Sequence, residues 1–109
     1  MTEDDPREAI ELENAAEARL RKVDADPADT ASADAAQHLI KLANEVRQLR
    51  DAPLYQEYLA ICNWLDEFDG MADFEIRAYE LRSRTGFGGI VKTGEQYLRT
   101  LIELAKESF

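Results

Sequence analysis

The stretch LYQEYLAICNWLDEF, residues 54–68, decides the fold, because its apolar side chains recur at helical spacing. One set repeats at alternating intervals of four and three residues, the period of one face of an α-helix: Leu54, Tyr58, Ile61, Leu65 and Phe68. A second set widens this stripe past half of the helix circumference: Tyr55, Leu59, Cys62 and Trp64. So wide a stripe needs cover on more than one side, and we therefore predict that this helix is central in a bundle.

The rest of the chain has the same period outside its loops. Apolar residues form four more stripes, at 9–23, 35–49, 71–81 and 97–105, and no segment shows the period-two alternation of a strand. The sequence therefore predicts an all-α, single-domain bundle of four to five amphipathic helices over residues 1–109. The number of helices stays open, because residues 54–68 and 71–84 could form either two helices or one helix kinked at Asp69-Gly70.

Turn and capping residues predict where the helices begin. Asp5 is expected to cap the first helix, with Pro6 in its first turn, after an acidic tail at 1–5. A connector follows at about 24–32, and its Asp26-Pro27 pair could begin the second helix. Asp51-Ala52-Pro53 separates the second helix from the third. A glycine-rich loop at about 85–93 precedes the last helix, whose Thr93-Gly94-Glu95-Gln96 has the spacing of a capping box.

Composition limits the classes of function. The chain of 109 residues carries a net charge of −10, so we expect it to repel nucleic acids and anionic membranes. Residues 51–80 hold eight acids against the single base Arg77, an excess that is typical of a solubilising surface and would also suit a basic protein partner. The acidic N-terminus does not resemble a signal peptide, and no apolar run is long enough to span a bilayer. With one cysteine, Cys62, we expect a cytoplasmic protein.

The stretch RTGFGGIVKTGE, residues 84–95, contains four of the five glycines and invites a phosphate-binding interpretation. The P-loop pattern fails, because Val91 replaces a required glycine and the preceding residues are helical rather than a strand. A smaller anion site is still open, in which loop amides and the start of the last helix hold one anion. Its candidate residues are Gly88, Gly89, Lys92 and Thr93; the alternative is a plain helix connector.

The single histidine lies in AQHLIKLANEV. His38, Ile40 and Lys41 fit a short motif, H-x-[LI]-K-G, and in this the chain resembles histidine phosphotransfer domains, which are four-helix bundles of similar length. Leu42 stands where that family has glycine, on the same face as the histidine. The resemblance implies phosphotransfer through His38. A histidine that borders the core is the alternative.

Carboxylates at helical spacing raise the possibility of a metal site. Glu8 with Glu11 and Asp66 with Asp69 resemble the paired acids by which all-α nucleotide pyrophosphohydrolases hold magnesium. Glu8 and Glu11 lie beside or opposite an apolar stripe, so we expect them to face water instead of converging on a metal. Cys62 is expected to fill the core and to be inert. The sequence thus predicts no catalytic residue, cofactor or metal ligand.

Two helices carry a second apolar face, which one core does not explain. Ile40 and Ala43 lie on such a face of the second helix, and Ala72, Ile76 and Tyr79 on that of the fourth. Either the helix is central or its outer face contacts another chain. We predict from these five residues a non-enzymatic protein that binds another protein, as an adaptor, inhibitor or regulatory subunit, and that could form a homo-oligomer.

Overall fold

The computed structural model describes residues 5–85 and 91–108. Five helices account for most of them: α1 (Arg7–Ala25), α2 (Thr30–Gln48), α3 (Pro53–Glu67), α4 (Met71–Thr85) and α5 (Gly94–Glu107). The two described ranges contain no strand. They form an all-α bundle of 45 × 26 × 24 Å, which confirms the predicted fold class. Of these five helices, none combines the length and the apolar composition that a bilayer crossing requires.

The last helix, α5, occupies the centre of the bundle. It packs on α2 and α3 and also contacts α4, whereas α1 packs mainly along α2. Its apolar side chains meet those of the other helices in one core, whose largest fully buried hydrophobic members are Tyr97, Leu12, Leu39, Leu42, Leu65, Leu98, Leu101, Val46 and Val91. The helix α4 is held least closely, with only a few contacts to α1 and α3.

The prediction that α3 is central was wrong. Only Tyr55, Tyr58 and Leu65 of this helix are buried, while Trp64 is 61% and Phe68 70% exposed. The helix packs mainly against α5, and its contact with α4 is slight. Part of its wide apolar stripe therefore faces solvent instead of a second helix.

Residues 54–68 and 71–84 belong to two separate helices. Asp69 adopts a left-handed backbone conformation with φ of 57°, which ends α3. The amide of Gly70 then donates to the carbonyl of Leu65 at 2.8 Å, the backbone pattern of a Schellman motif. A side chain at Gly70 would meet Leu65 Cδ2 at 2.8 Å and the Ser108 carbonyl oxygen at 3.1 Å, so a small residue is required here. The chain can therefore reverse tightly into α4.

Two predicted helix starts need correction. No side chain caps α1, whose N-cap residue is Pro6; Asp5 instead lies 3.4 Å from Arg47 Nε as an ion-pair partner. The helix α2 begins at Thr30 and not at Asp26-Pro27. Its cap is Asp29, whose side chain accepts from the Ser32 amide at 3.0 Å. Asp5 pairs with Arg47 instead of capping α1, and Asp29 is better placed than Asp26 to cap α2.

The second apolar face of α2 is covered inside the molecule. Ala36 and Ala43 are fully buried, and Ile40 is half-buried and packs against the core. Because α2 contacts both α1 and α5, both of its apolar faces have a neighbouring helix. Ala43 is therefore covered within this fold, and the exposed residues of the predicted interface are those on α4.

Candidate functional site

A groove opens where α1, α3 and α4 diverge. Its volume is about 600 Å³. Buried side chains of three helices line it, namely Glu8 from α1, Tyr58 from α3, and Phe74 with Ala78 from α4. The buried Tyr55 of α3 also lines it. The half-buried and exposed residues of the lining are Arg7, Glu11, Leu59, Cys62, Asn63, Asp66, Met71, Glu75, Tyr79 and Arg82. Grooves of this size between helices are common positions for binding sites.

Glu8 is the buried acid of this groove, with 4% of its surface exposed. Its Oε1 accepts a hydrogen bond from the Tyr58 hydroxyl at 2.5 Å, and its Oε2 accepts one from the Tyr97 hydroxyl at 3.1 Å. Burial raises the pKa of the carboxyl group. The prediction that Glu8 faces water was wrong, because two tyrosines from the apolar stripes of α3 and α5 turn their hydroxyls toward it.

Arg82 of α4 supplies the positive charge beside Glu8. Its Nη1 lies 3.6 Å from Glu8 Oε2 and 3.0 Å from Glu11 Oε2, and only 13% of the arginine side chain is exposed. The same nitrogen lies 3.4 Å from the Tyr97 hydroxyl. One carboxylate of α1 thus contacts side chains from α3, α4 and α5. Buried charges need such partners, because an isolated one is strongly disfavoured.

The thiol and two of the tyrosine hydroxyls of the groove are held in their neutral forms. Burial raises the pKa of the Cys62 thiol, so it is protonated at neutral pH. Burial likewise raises the pKa of Tyr55 to about 12 and that of Tyr58 further still. These tyrosine hydroxyls are therefore not bases at neutral pH, and the thiol is not a nucleophile. The chemistry of the groove is that of hydrogen bonding and ion pairing.

Beside the groove, α4 presents a row of apolar side chains to solvent. Ile76 is 61% and Tyr79 67% exposed, and Ala72, one turn before Ile76, is exposed too. The three lie at spacings of four and three residues and thus on one face of the helix. We call Ala72, Ile76 and Tyr79 the α4 ridge. Tyr79 also lines the groove, so ridge and groove form one continuous surface.

The predicted anion site at the start of α5 is already filled by the protein. Glu45 Oε1 accepts from the Gly94 amide at 2.8 Å, and the Thr93 side chain accepts from the Gln96 amide at 3.1 Å. The Lys92 amide donates to Gln96 Oε1 at 2.8 Å. An external anion would have to displace these acceptors. The other two candidate residues, Gly88 and Gly89, lie outside the described residues.

His38 is half-buried and makes a contact with the chain before α5. Its Nε2 lies 2.8 Å from the Val91 carbonyl oxygen, and Leu42, one turn later, is fully buried. A phosphoryl group could reach Nε2 only after this contact had broken. The arrangement thus fits a histidine that borders the core, and it gives no support to phosphotransfer.

The carboxylates proposed for magnesium are not arranged around a metal position in the described residues. Across the two described ranges, no group of three or more His, Cys, Asp or Glu side chains is arranged to hold a metal ion. Glu8 and Glu11 instead share Arg82, and Asp66 is exposed on α3. The observed pairing is between acid and base, which is unlike the cluster of acids that a magnesium site needs.

Comparisons with known proteins do not add a family or a relative. No protein-family description matches the chain, and neither a curated protein nor a solved structure resembles it at a significant level. The site therefore has to be interpreted from its own geometry.

Sequence reasoning missed the cluster of Glu8, Tyr58, Arg82 and Tyr97. The signal that could have found it is the pair of tyrosines at core positions, since each buried hydroxyl needs a partner. The partner itself lies 50 residues from Tyr58 and 89 residues from Tyr97. Helical periodicity relates residues within one helix, so it could not connect these positions.

Proposed function

We propose that this protein acts without catalysis, as an interaction module that binds a basic amphipathic helix of another protein along the α4 ridge. The observation that carries the proposal is the exposure of Ile76 and Tyr79 on one face of the most loosely held helix. Large apolar side chains grouped on a surface commonly mark contact sites. Tyrosine is favoured there because its ring buries area while its hydroxyl keeps a polar partner.

The charge of the segment that carries the ridge, residues 51–80, favours a basic partner. All eight acids of residues 51–80 are exposed: Asp51, Glu57, Asp66, Glu67, Asp69, Asp73, Glu75 and Glu80. The one base among them, Arg77, is already paired, since it lies 3.3 Å from Asp73 and 3.2 Å from Glu107. An incoming helix with lysine or arginine around an apolar stripe would meet complementary charge, which speeds association and selects against acidic partners.

Helix-in-groove binding matches the shape of this surface. Side chains of a docked helix at spacings of three and four residues can contact the ridge while their neighbours reach the groove. The proposal places the protein in the cytoplasm, since its one thiol, Cys62, requires no oxidising compartment. Self-association through the same ridge is the alternative to binding a partner helix, and the experiment must distinguish the two.

Two synthetic peptides of identical composition test this function. One places leucines on a single helical face among lysines and arginines, and the other has the same residues in scrambled order. At physiological salt we expect the amphipathic peptide to bind at least about tenfold more tightly, because only it can align apolar side chains with the ridge. Equal affinities would mean that binding is only general charge attraction and would overturn the proposal. Sedimentation of the protein alone measures self-association, and a dimer that excludes the peptide would also overturn it.

A further inference from the structure

The groove beside the α4 ridge carries an excess of negative charge. Four carboxylates line it, from Glu8, Glu11, Asp66 and Glu75, against the two guanidinium groups of Arg7 and Arg82. The remaining lining is apolar, aromatic or uncharged. The surface therefore combines a negative field with aromatic walls, which together favour a cation.

The two arginines of the groove are already engaged with its acids. Arg7 Nε lies 3.0 Å from Glu11 Oε1, and Arg7 Nη2 lies 3.3 Å from Glu75 Oε1. Arg82 forms ion pairs with both Glu8 and Glu11. Asp66 makes no ion pair with any other residue of the described ranges 5–85 and 91–108. The uncompensated charge is thus on the α3 side of the groove, at Asp66.

A second cavity shows that this charge pattern is local. It has a volume of about 400 Å³, lies between α1 and α4, and shares Glu11, Tyr79 and Arg82 with the groove. Its lining includes Arg19, Lys22 and Arg82 against the single acid Glu11. A cation is therefore favoured in the groove and disfavoured in the neighbouring cavity, although Tyr79 borders both.

We propose that the groove receives an arginine side chain of the bound partner helix, which anchors that helix beside the α4 ridge. This inference rests on the function proposed above. The guanidinium group pairs with Asp66, while its methylene groups contact the apolar and aromatic lining of the groove beside that residue. Arginine suits this surface better than lysine, because its planar cation both stacks on aromatic rings and binds carboxylates through two parallel hydrogen bonds.

Nuclear magnetic resonance with a small probe tests the anchor without the partner. Nα-acetylarginine methylamide is titrated into the ¹⁵N-labelled protein, and the matched citrulline compound, which has the same shape without the charge, serves as the control ligand. We expect the arginine compound to shift the amide signals of Cys62, Asn63 and Tyr79 and the citrulline compound to leave them in place. Shifts of equal size with both compounds, or shifts spread evenly over the acidic surface, would overturn the inference.

Two charge-neutralising variants locate the contact. Asp66→Asn should weaken binding of the arginine compound about fivefold, whereas Glu103→Gln, which removes one exposed acid of α5, should leave it unchanged. Equal weakening by both variants would show that net charge alone attracts the probe. Nα-acetyllysine methylamide, whose ε-ammonium group is free, would overturn the choice of arginine if it bound as tightly. A free polyamine that bound as tightly would do the same.

The peptide experiment distinguishes failure of the anchor from failure of the proposed function. If the amphipathic peptide binds the ridge but Asp66→Asn leaves its affinity unchanged, the anchor is wrong and the function stands. If the arginine compound binds at the groove while neither peptide does, the groove is a cation site and the proposed function is wrong.

Discussion

The Tyr97 hydroxyl of α5 donates a hydrogen bond at 3.1 Å to Glu8 Oε2 of α1, and so connects the first helix to the last. The other oxygen of this carboxylate accepts from Tyr58 of α3, and Arg82 of α4 lies beside it. The helices α1, α3 and α4 border the groove, and α5 packs against α3 and α4. The cluster therefore holds in place the surface that we propose for binding.

Replacing Glu8 should destabilise the bundle strongly. Glu8→Ala leaves two tyrosine hydroxyls and the Arg82 cation without their acceptor, and we expect a loss of about 3 kcal/mol in the free energy of unfolding. Glu103→Ala removes an exposed acid of α5 and should cost less than about 0.5 kcal/mol. Urea unfolding of both variants measures the difference. Equal stabilities would mean that the cluster is solvated and not structural.

The Glu8 carboxyl group should also give the protein a distinct pH dependence. Burial raises its pKa in the folded state above the usual 4.5, so the folded protein takes up this proton more readily than the unfolded chain. Its contribution to stability is then largest below the unfolded pKa and is lost as the pH rises through the folded pKa. Relative to Glu8→Gln, which does not titrate, the wild type should become more stable as the pH falls through the raised folded pKa of Glu8 toward 4.5.

Urea titrations of the wild type and of Glu8→Gln at several pH values measure that difference. Other groups, such as Asp29, whose hydrogen bonds with Ser32 lower its pKa, contribute equally to both proteins and cancel. A wild type that instead gains stability over the variant toward neutral pH would show that Tyr58, Arg82 and Tyr97 outweigh burial.

The features that the sequence could predict were those that depend on residues close together in the chain. The period of the apolar residues predicted the helices, and Asp69-Gly70 predicted a break or a kink after residue 68, because both are properties of neighbouring residues. The position of Ala43 inside the bundle and the exposure of Trp64 depended on which helices become neighbours. The pairing of Glu8 with Tyr97 depended on the same choice. Helical period is identical for every arrangement of a bundle, so it could not decide among them.

The close approach of α5 to α2 should make Gly94 sensitive to substitution. A Cβ atom there would lie 2.7 Å from Glu45 Cβ and 3.0 Å from the Val46 nitrogen, and backbone cannot move aside easily. We expect Gly94→Ala to cost about 2 kcal/mol. Gly70→Ala meets the end of the Leu65 side chain first, which can move, and should cost less. Thermal or urea unfolding compares the two, and a Gly94→Ala protein as stable as the wild type would contradict the close packing.

The affinity of the double variant Ile76→Ser/Tyr79→Ser for the amphipathic peptide tests the central claim most directly. Both side chains are exposed, so the variant should keep the melting temperature of the wild type while its affinity falls by about 2 kcal/mol, or roughly thirtyfold. The matched control, Trp64→Ser/Phe68→Ser, changes a similarly exposed apolar pair at the C-terminal end of α3 and should bind the peptide as the wild type does. Unchanged peptide affinity in the α4 variant, or an equal loss in the control, would contradict binding through the α4 ridge.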